Sequence, residues 1–142
     1  MSLDVLSGLN WLAVIVGAVI YFGLGAIWFA PPVLGRPWMA SIGWDESRQR
    51  PEMNPASYAG PAVFYLIASI VTAILAEATG TDTAAEGALL GLLVGVGYAL
   101  TVTATDAVFD PNKPKPWTWF AISGAYHVVA LVVVGILVAV WV

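Results

Sequence analysis

Apolar residues in this chain are gathered into four long blocks, separated by polar stretches rich in proline, glycine and charge. The first block runs from about Leu9 to Ala30 and stops at Pro31-Pro32. The second runs from about Ala59 to Ala78, the third from about Ala84 to Phe109, and the fourth from about Trp117 to Val142. Each is about 20 residues or longer, the length at which a helix spans roughly 30 Å of hydrocarbon. A run of that length in lipid must satisfy its backbone polar groups internally, which helices do and open strands do not. The pattern predicts an all-α integral membrane four-helix bundle, one transmembrane domain over residues 1–142, with spans of about 9–30, 59–78, 84–109 and 117–142.

Local signals set the ends. Asn54-Pro55 reads as an N-cap with proline in the first turn, so the second helix is expected to start before the hydrocarbon, and Pro116 plays the same part for the fourth. The residues before the first block include Asp4 and no Lys or Arg, and the block is too long for a cleavable leader. The first loop, residues 31–58, is long, and Pro37–Trp44 within it predicts a short helix lying at the interface. The second loop, residues 79–83, is a tight turn, and the third, residues 110–116, is proline-rich.

Charge gives the orientation. Arg36, Arg48 and Arg50 lie in the first loop and Lys113 and Lys115 in the third, so four spans bring all five basic residues to one side. The positive-inside rule makes loops 31–58 and 110–116 cytoplasmic and both termini external, in a cell (plasma or inner) membrane. Asp4, Glu77, Asp82 and Glu86 fall on the opposite face. Trp11 and Trp141 fit an outer aromatic belt, and Trp28, Trp38, Trp117 and Trp119 an inner one. Composition agrees: 60% of the 142 residues are hydrophobic and 10% charged, against about 25% charged in soluble domains. The net charge of −4 speaks against a nucleic-acid partner. The lack of cysteine excludes disulfides, thiolate metal sites and a cysteine nucleophile.

The halves of the chain rhyme. Phe29-Ala30-Pro31 is followed by Arg36-Pro37-Trp38, and Phe109-Asp110-Pro111 by Lys115-Pro116-Trp117. They can be read as parallel two-helix repeats about an axis normal to the membrane, or as two interfacial loops of similar chemistry. In either case Arg36 and Lys115 reach toward lipid phosphate while Trp38 and Trp117 anchor the depth.

Gly87, Gly91 and Gly95 recur every fourth residue on the third span, with Tyr98, Thr101 and Thr105 continuing that face and Leu89, Leu93, Val96 and Leu100 opposite. Such a groove lets another helix backbone approach closely, and helix packing is preferred to a cavity lining. Small residues also recur at Ala68, Thr72 and Ala76 and at Gly135 and Ala139. These faces predict a homo-oligomer with at least one small-residue face between copies.

His127, the one histidine, falls about ten residues into the fourth span, near the bilayer midplane. Tyr98, Tyr21 and Ser69 are expected at the same depth, which would make a polar layer across the bundle. An ionisable group at this depth is by default a functional candidate. Charging it without a counter-ion costs several kcal/mol, so a neutral imidazole bonded to Tyr98 or a neighbouring hydroxyl is the preferred reading over a proton or cation path. One histidine makes no metal site, and no catalytic residue or cofactor is expected. Asp106 is expected to pair with Lys113 or Lys115, and Glu77 and Glu86 to act as solvated caps beside the second loop.

Leu9-Asn10-Trp11-Leu12-Ala13, Gly25-Ala26-Ile27-Trp28-Phe29, Trp38-Met39, Gly124-Ala125-Tyr126-His127 and Gly135 resemble a prokaryotic family of four-span membrane proteins classed as a domain of unknown function. The resemblance covers nearly the whole chain and implies a fold and a location, but no activity or site residues. Two function classes follow. One is a non-enzymatic oligomeric module: a partner subunit, scaffold or small-solute conduit in contact with membrane lipid. The other is a lipid- or quinone-directed membrane enzyme. The sparse polar groups, mostly hydroxyls, favour the first.

Overall fold

The computed structural model describes residues 5–44 and 55–141, and every regular element among them is helical. Asp4, Arg48, Arg50, Asn54 and Val142 lie outside the described residues. Four helices are long and apolar enough to cross a membrane: Trp11–Trp28, Ala56–Thr79, Ala84–Phe109 and Pro116–Val140. The chain is an all-α membrane helical bundle. Large apolar side chains such as Val19, Phe64, Leu93 and Val102 stand on its outside, as they must where lipid is the solvent.

Side-chain and backbone caps fix the helix ends. Asn10 caps the first span by accepting from the amides of Leu12 and Ala13, and its own amide nitrogen donates to the Trp141 carbonyl at 3.0 Å, tying the two chain ends together. The second span closes on Gly80 in the left-handed conformation (φ 65°), with Thr81 N–H donating to Ala76 O and Gly80 N–H to Glu77 O. Thr83 and Glu86 then form a reciprocal capping box that opens the third span. A wide π-turn over Pro31–Gly35 leads from the first span into a six-residue helix, Arg36–Ser41, which packs on the N-terminal end of the fourth span. Lys115 N–H donates to Ser41 O at 3.2 Å, so the first and third loops meet at one end of the bundle.

The fourth span is the hub. Half of its most apolar stretch is buried, against 22–28% in the other three. It packs against the first, second and third spans, whereas the third leans on the fourth and touches the second only lightly. The two halves therefore pack unequally. Glycine makes the third–fourth contact close. A Cβ on Gly87 would stand 2.4 Å from Gly135 O, and one on Gly91 2.2 Å from Leu131 O. The groove formed by Gly87, Gly91 and Gly95 is thus filled by the chain's own fourth span. Thr72 and Ala76 are buried within the bundle as well.

One expectation about the third span is corrected. Tyr98, Thr101 and Thr105 do not continue the glycine face; all three are exposed. The buried face passes instead from Gly87, Gly91 and Gly95 to Thr103 and Ala107, with Ala99 partly buried between them. A π-turn over Gly95–Leu100 is the cause. In a straight α-helix each step of four residues winds the position on by about 40°, or about 200° from Gly87 to Ala107. The π-turn inserts a residue and takes back about half of that. It keeps a four-residue repeat on one side and turns Tyr98 outward. Leu100, expected on the opposite face, is partly buried against Gly124.

Candidate functional site

An apolar cleft of about 890 Å³ opens beside the C-terminal half of the first span. Phe22, Gly25, Ala26 and Phe29 form one wall. Trp38, Met39, Ile42 and Trp44, from the short loop helix and the turn after it, form a second. Tyr58, Pro61 and Tyr65, from the start of the second span, form the third. The walls hold one another through ring contacts: Phe29 against Trp38 at 5.2 Å, Phe22 against Tyr58 at 6.3 Å and against Tyr65 at 6.2 Å between centroids. Two of the tryptophans, Trp28 and Trp38, are anchored as well as packed. Trp28 Nε1 donates to Ile122 O at 3.1 Å, and Trp38 Nε1 to Ser123 Oγ at 3.2 Å, so Trp38 is fixed to the hub helix.

Behind the cleft lies a polar aromatic cluster. Tyr65 stacks on Tyr21 with centroids 4.3 Å apart and planes 9° from parallel. The Tyr21 hydroxyl meets His127 Nδ1 at 2.8 Å. If the phenol donates, the imidazole proton sits on Nε2; in the other tautomer Nδ1–H donates to the phenol oxygen. Tyr126, 1% exposed, donates its hydroxyl to the Tyr21 backbone oxygen at 2.9 Å and sets its ring edge-on to Tyr21, Tyr65 and Phe29. Gly25 makes room for it: a Cβ there would stand 2.8 Å from the Tyr126 hydroxyl. No buried side-chain nitrogen or oxygen among the described residues lacks a partner.

The structure therefore joins two of the four residues expected in the polar layer, Tyr21 and His127, and not the others. Tyr98 has the right depth but is 74% exposed, turned away by the π-turn. Ser69 is fully buried but bonds Val14 O at 2.8 Å, about two turns N-terminal to Tyr21 on the first span. Its place in the layer is taken by Tyr65, one turn earlier on the same face. The second helix opens with a 3₁₀ turn at Pro55–Tyr58, near where the Asn54-Pro55 signal puts its start. The anchors divide too. Trp38 is tied into the cleft, whereas Arg36, Lys115 and Trp117 are exposed at the end of the bundle where the first and third loops meet.

That end carries its own electrostatic clamp. Lys113 Nζ bonds Asp106 at 2.8 Å and Asp110 at 2.5 Å, and lies 4.2 Å from the Trp119 ring centre. Hydrogen bonds from Lys113 and from the Asn112 backbone hold the Asp110 carboxyl below its ordinary pKa. Burial works against the charged Lys113, but its two carboxylate partners outweigh it and raise its pKa. At the other end, Glu77, Asp82 and Asn10 line a smaller pocket of about 170 Å³. Among the described residues no three His, Cys, Asp or Glu side chains are grouped as metal ligands would be.

A family model described as a protein of unknown function, DUF1761, matches residues 12–139. The chain belongs to the DUF1761 family. No curated protein and no solved structure matches it. In this DUF1761 chain three of the five stretches that carry the family resemblance meet in space: Gly25, Ala26 and Phe29 with Trp38 and Met39 line the cleft, and Tyr126 and His127 stand behind it.

Proposed function

We propose that this membrane protein is a non-enzymatic module that holds a small amphiphile in the aromatic cleft, with loops 31–58 and 110–116 on the cytoplasmic side of the cell membrane. The observation that carries the reading is the cleft itself, about 890 Å³ and walled by rings from three separate elements. That volume lies within the range of about 300–1,000 Å³ used by small-molecule sites. Membrane lipid is the amphiphile always at hand. The cluster behind the cleft favours holding over chemistry, because Tyr21, Tyr126 and His127 direct their hydrogen bonds at one another and at backbone. The orientation rests on Arg36, Lys113 and Lys115 gathering at the end where the two loops meet.

Self-association belongs to the same proposal, on an outward face of the third span. Gly97, Thr101 and Thr105 form an outward small-residue stripe on the third span, and a Cβ on Gly97 would meet nothing within 4 Å. The test is native mass spectrometry of protein released from native membrane, wild type beside Ala26→Phe, which fills the cleft. Wild type is expected to retain one amphiphile that the variant loses, and to appear as an oligomer. Equal retention in both would overturn the cleft as its site, and monomer alone would remove self-association.

A further inference from the structure

We propose that the cleft selects an amphiphile with a neutral, flat, conjugated head of the quinone class, an inference that rests on the cleft being a ligand site. Two properties of the walls lead there. First, no Lys, Arg, Asp, Glu or His is among the described lining residues. Among these residues a phosphate head would lose its hydration without gaining a guanidinium or ammonium partner of the kind anion sites provide. A neutral head has no such loss. Second, the lining is ring upon ring. Phe22 packs edge-on against Tyr65 and Phe29 against Trp38, and Tyr65 is itself held flat on Tyr21. Aromatic walls gain more from a second π-face inserted between them than from a saturated chain, because offset stacking and edge contacts add to the area buried.

The polar groups available suit the same head. A quinone presents carbonyl oxygens, which accept hydrogen bonds and donate none. Tyr58 sits at the mouth of the cleft, 46% exposed, with its ring against Phe22 and a phenol that can donate. The alkyl or isoprenoid tail then lies along the exposed apolar surface of the first span, where Ala26 and Ile27 face lipid. Ala26 leaves the space at the wall: a larger side chain there would stand in the ring's place.

The test uses the full chain in phosphatidylcholine nanodiscs, titrated with ubiquinone-1 and with menadione and read by tryptophan fluorescence, since Trp38 and Trp44 line the cleft. Saturable quenching is expected, weakened about tenfold or more by Ala26→Phe and several-fold by Tyr58→Phe. The second variant removes one oxygen from a half-exposed ring and leaves the fold intact, so it keeps the inference testable if Ala26→Phe folds poorly. Phosphatidylglycerol and decanol are expected not to compete. Quenching that rises without saturation and equally in all three proteins would be partitioning alone and would overturn the proposal. A retained phospholipid lost in Ala26→Phe, with no saturable quinone binding, would overturn the quinone assignment and leave the broader ligand site standing. Neither ligand in wild type would overturn both.

Discussion

Replacing Gly91 by alanine puts the packing argument at its greatest risk. The new Cβ would stand 2.2 Å from Leu131 O, 2.6 Å from Val132 Cα and 2.7 Å from Leu131 C, all backbone atoms of the hub helix that no rotamer change can move. Ordinary contact begins at 3.4 Å, so the third and fourth spans must part locally by up to about 1.2 Å. Separation on that scale also loosens the reciprocal Gly87–Gly135 approach one turn away. In lipid no hydrophobic effect draws helices together, and close packing supplies much of the association energy. Overpacking of this kind costs about 1–3 kcal/mol. Alanine's better helix propensity returns up to about 1 kcal/mol. Gly23→Ala is the matched control, since a Cβ there meets nothing within 4 Å. It should gain the same propensity term without the clash. The difference between the two variants therefore isolates the clash, at about 1–3 kcal/mol. Reversible unfolding in mixed micelles of increasing SDS fraction measures it. A Gly91→Ala protein as stable as Gly23→Ala would refute the close backbone contact.

Three other outcomes are expected. His127→Gln should unfold within about 0.5 kcal/mol of wild type because an amide can replace one donor or acceptor, while His127→Leu and Tyr21→Phe should each cost about 1 kcal/mol and, combined, less than their sum; full additivity in the double-mutant cycle would show that the 2.8 Å contact contributes nothing. The Lys113 clamp should be insensitive to pH from about 5 to about 9. Asp110's lowered folded pKa gives stability that is present above its unfolded value and lost as pH falls through the folded one, whereas Lys113's raised pKa gives stability that is present below its unfolded value and lost as pH rises through the folded one. Loop amide hydrogen exchange, corrected for its intrinsic pH dependence, in wild type against Lys113→Met reads this, and a difference that changes steadily across that window would contradict it. In the cysteine-free background, an impermeant thiol reagent on intact cells should label Asp82→Cys and not Asn112→Cys; the reverse result would invert the proposed topology.

How much of this was legible in the sequence differs between depth and direction. Depth follows from counting: a helix rises by a fixed amount per residue, so block lengths gave four spans, and a place about ten residues into the fourth span puts His127 level with Tyr21. The count failed at Ser69, which bonds Val14 about two turns before Tyr21, while Tyr65, one turn earlier than Ser69, stands in the layer instead. The cleft was not legible at all. It is assembled from the first span, a six-residue helix and the start of the second span, and nothing local to any of them says that Trp38 reaches Ser123 across the fold.

Direction round a helix is the harder quantity, since a single inserted residue rotates everything after it by about 100°. Projecting Tyr98, Thr101 and Thr105 onto the glycine face assumed an uninterrupted α-helix. The sequence does carry a sign that the assumption fails. Gly87, Gly91, Gly95, Ala99, Thr103 and Ala107 place a small residue at every fourth position for 20 residues, a repeat that a straight α-helix would wind more than half-way round its axis. For all six to serve one neighbour, the helix must widen somewhere, and it does so at Gly95–Leu100, where two glycines offer little resistance. The same widening that keeps Thr103 and Ala107 against the fourth span turns Tyr98 and the Gly97–Thr101–Thr105 stripe outward. One irregular turn thus both completes the internal contact and creates the open face on which a second copy is proposed to dock.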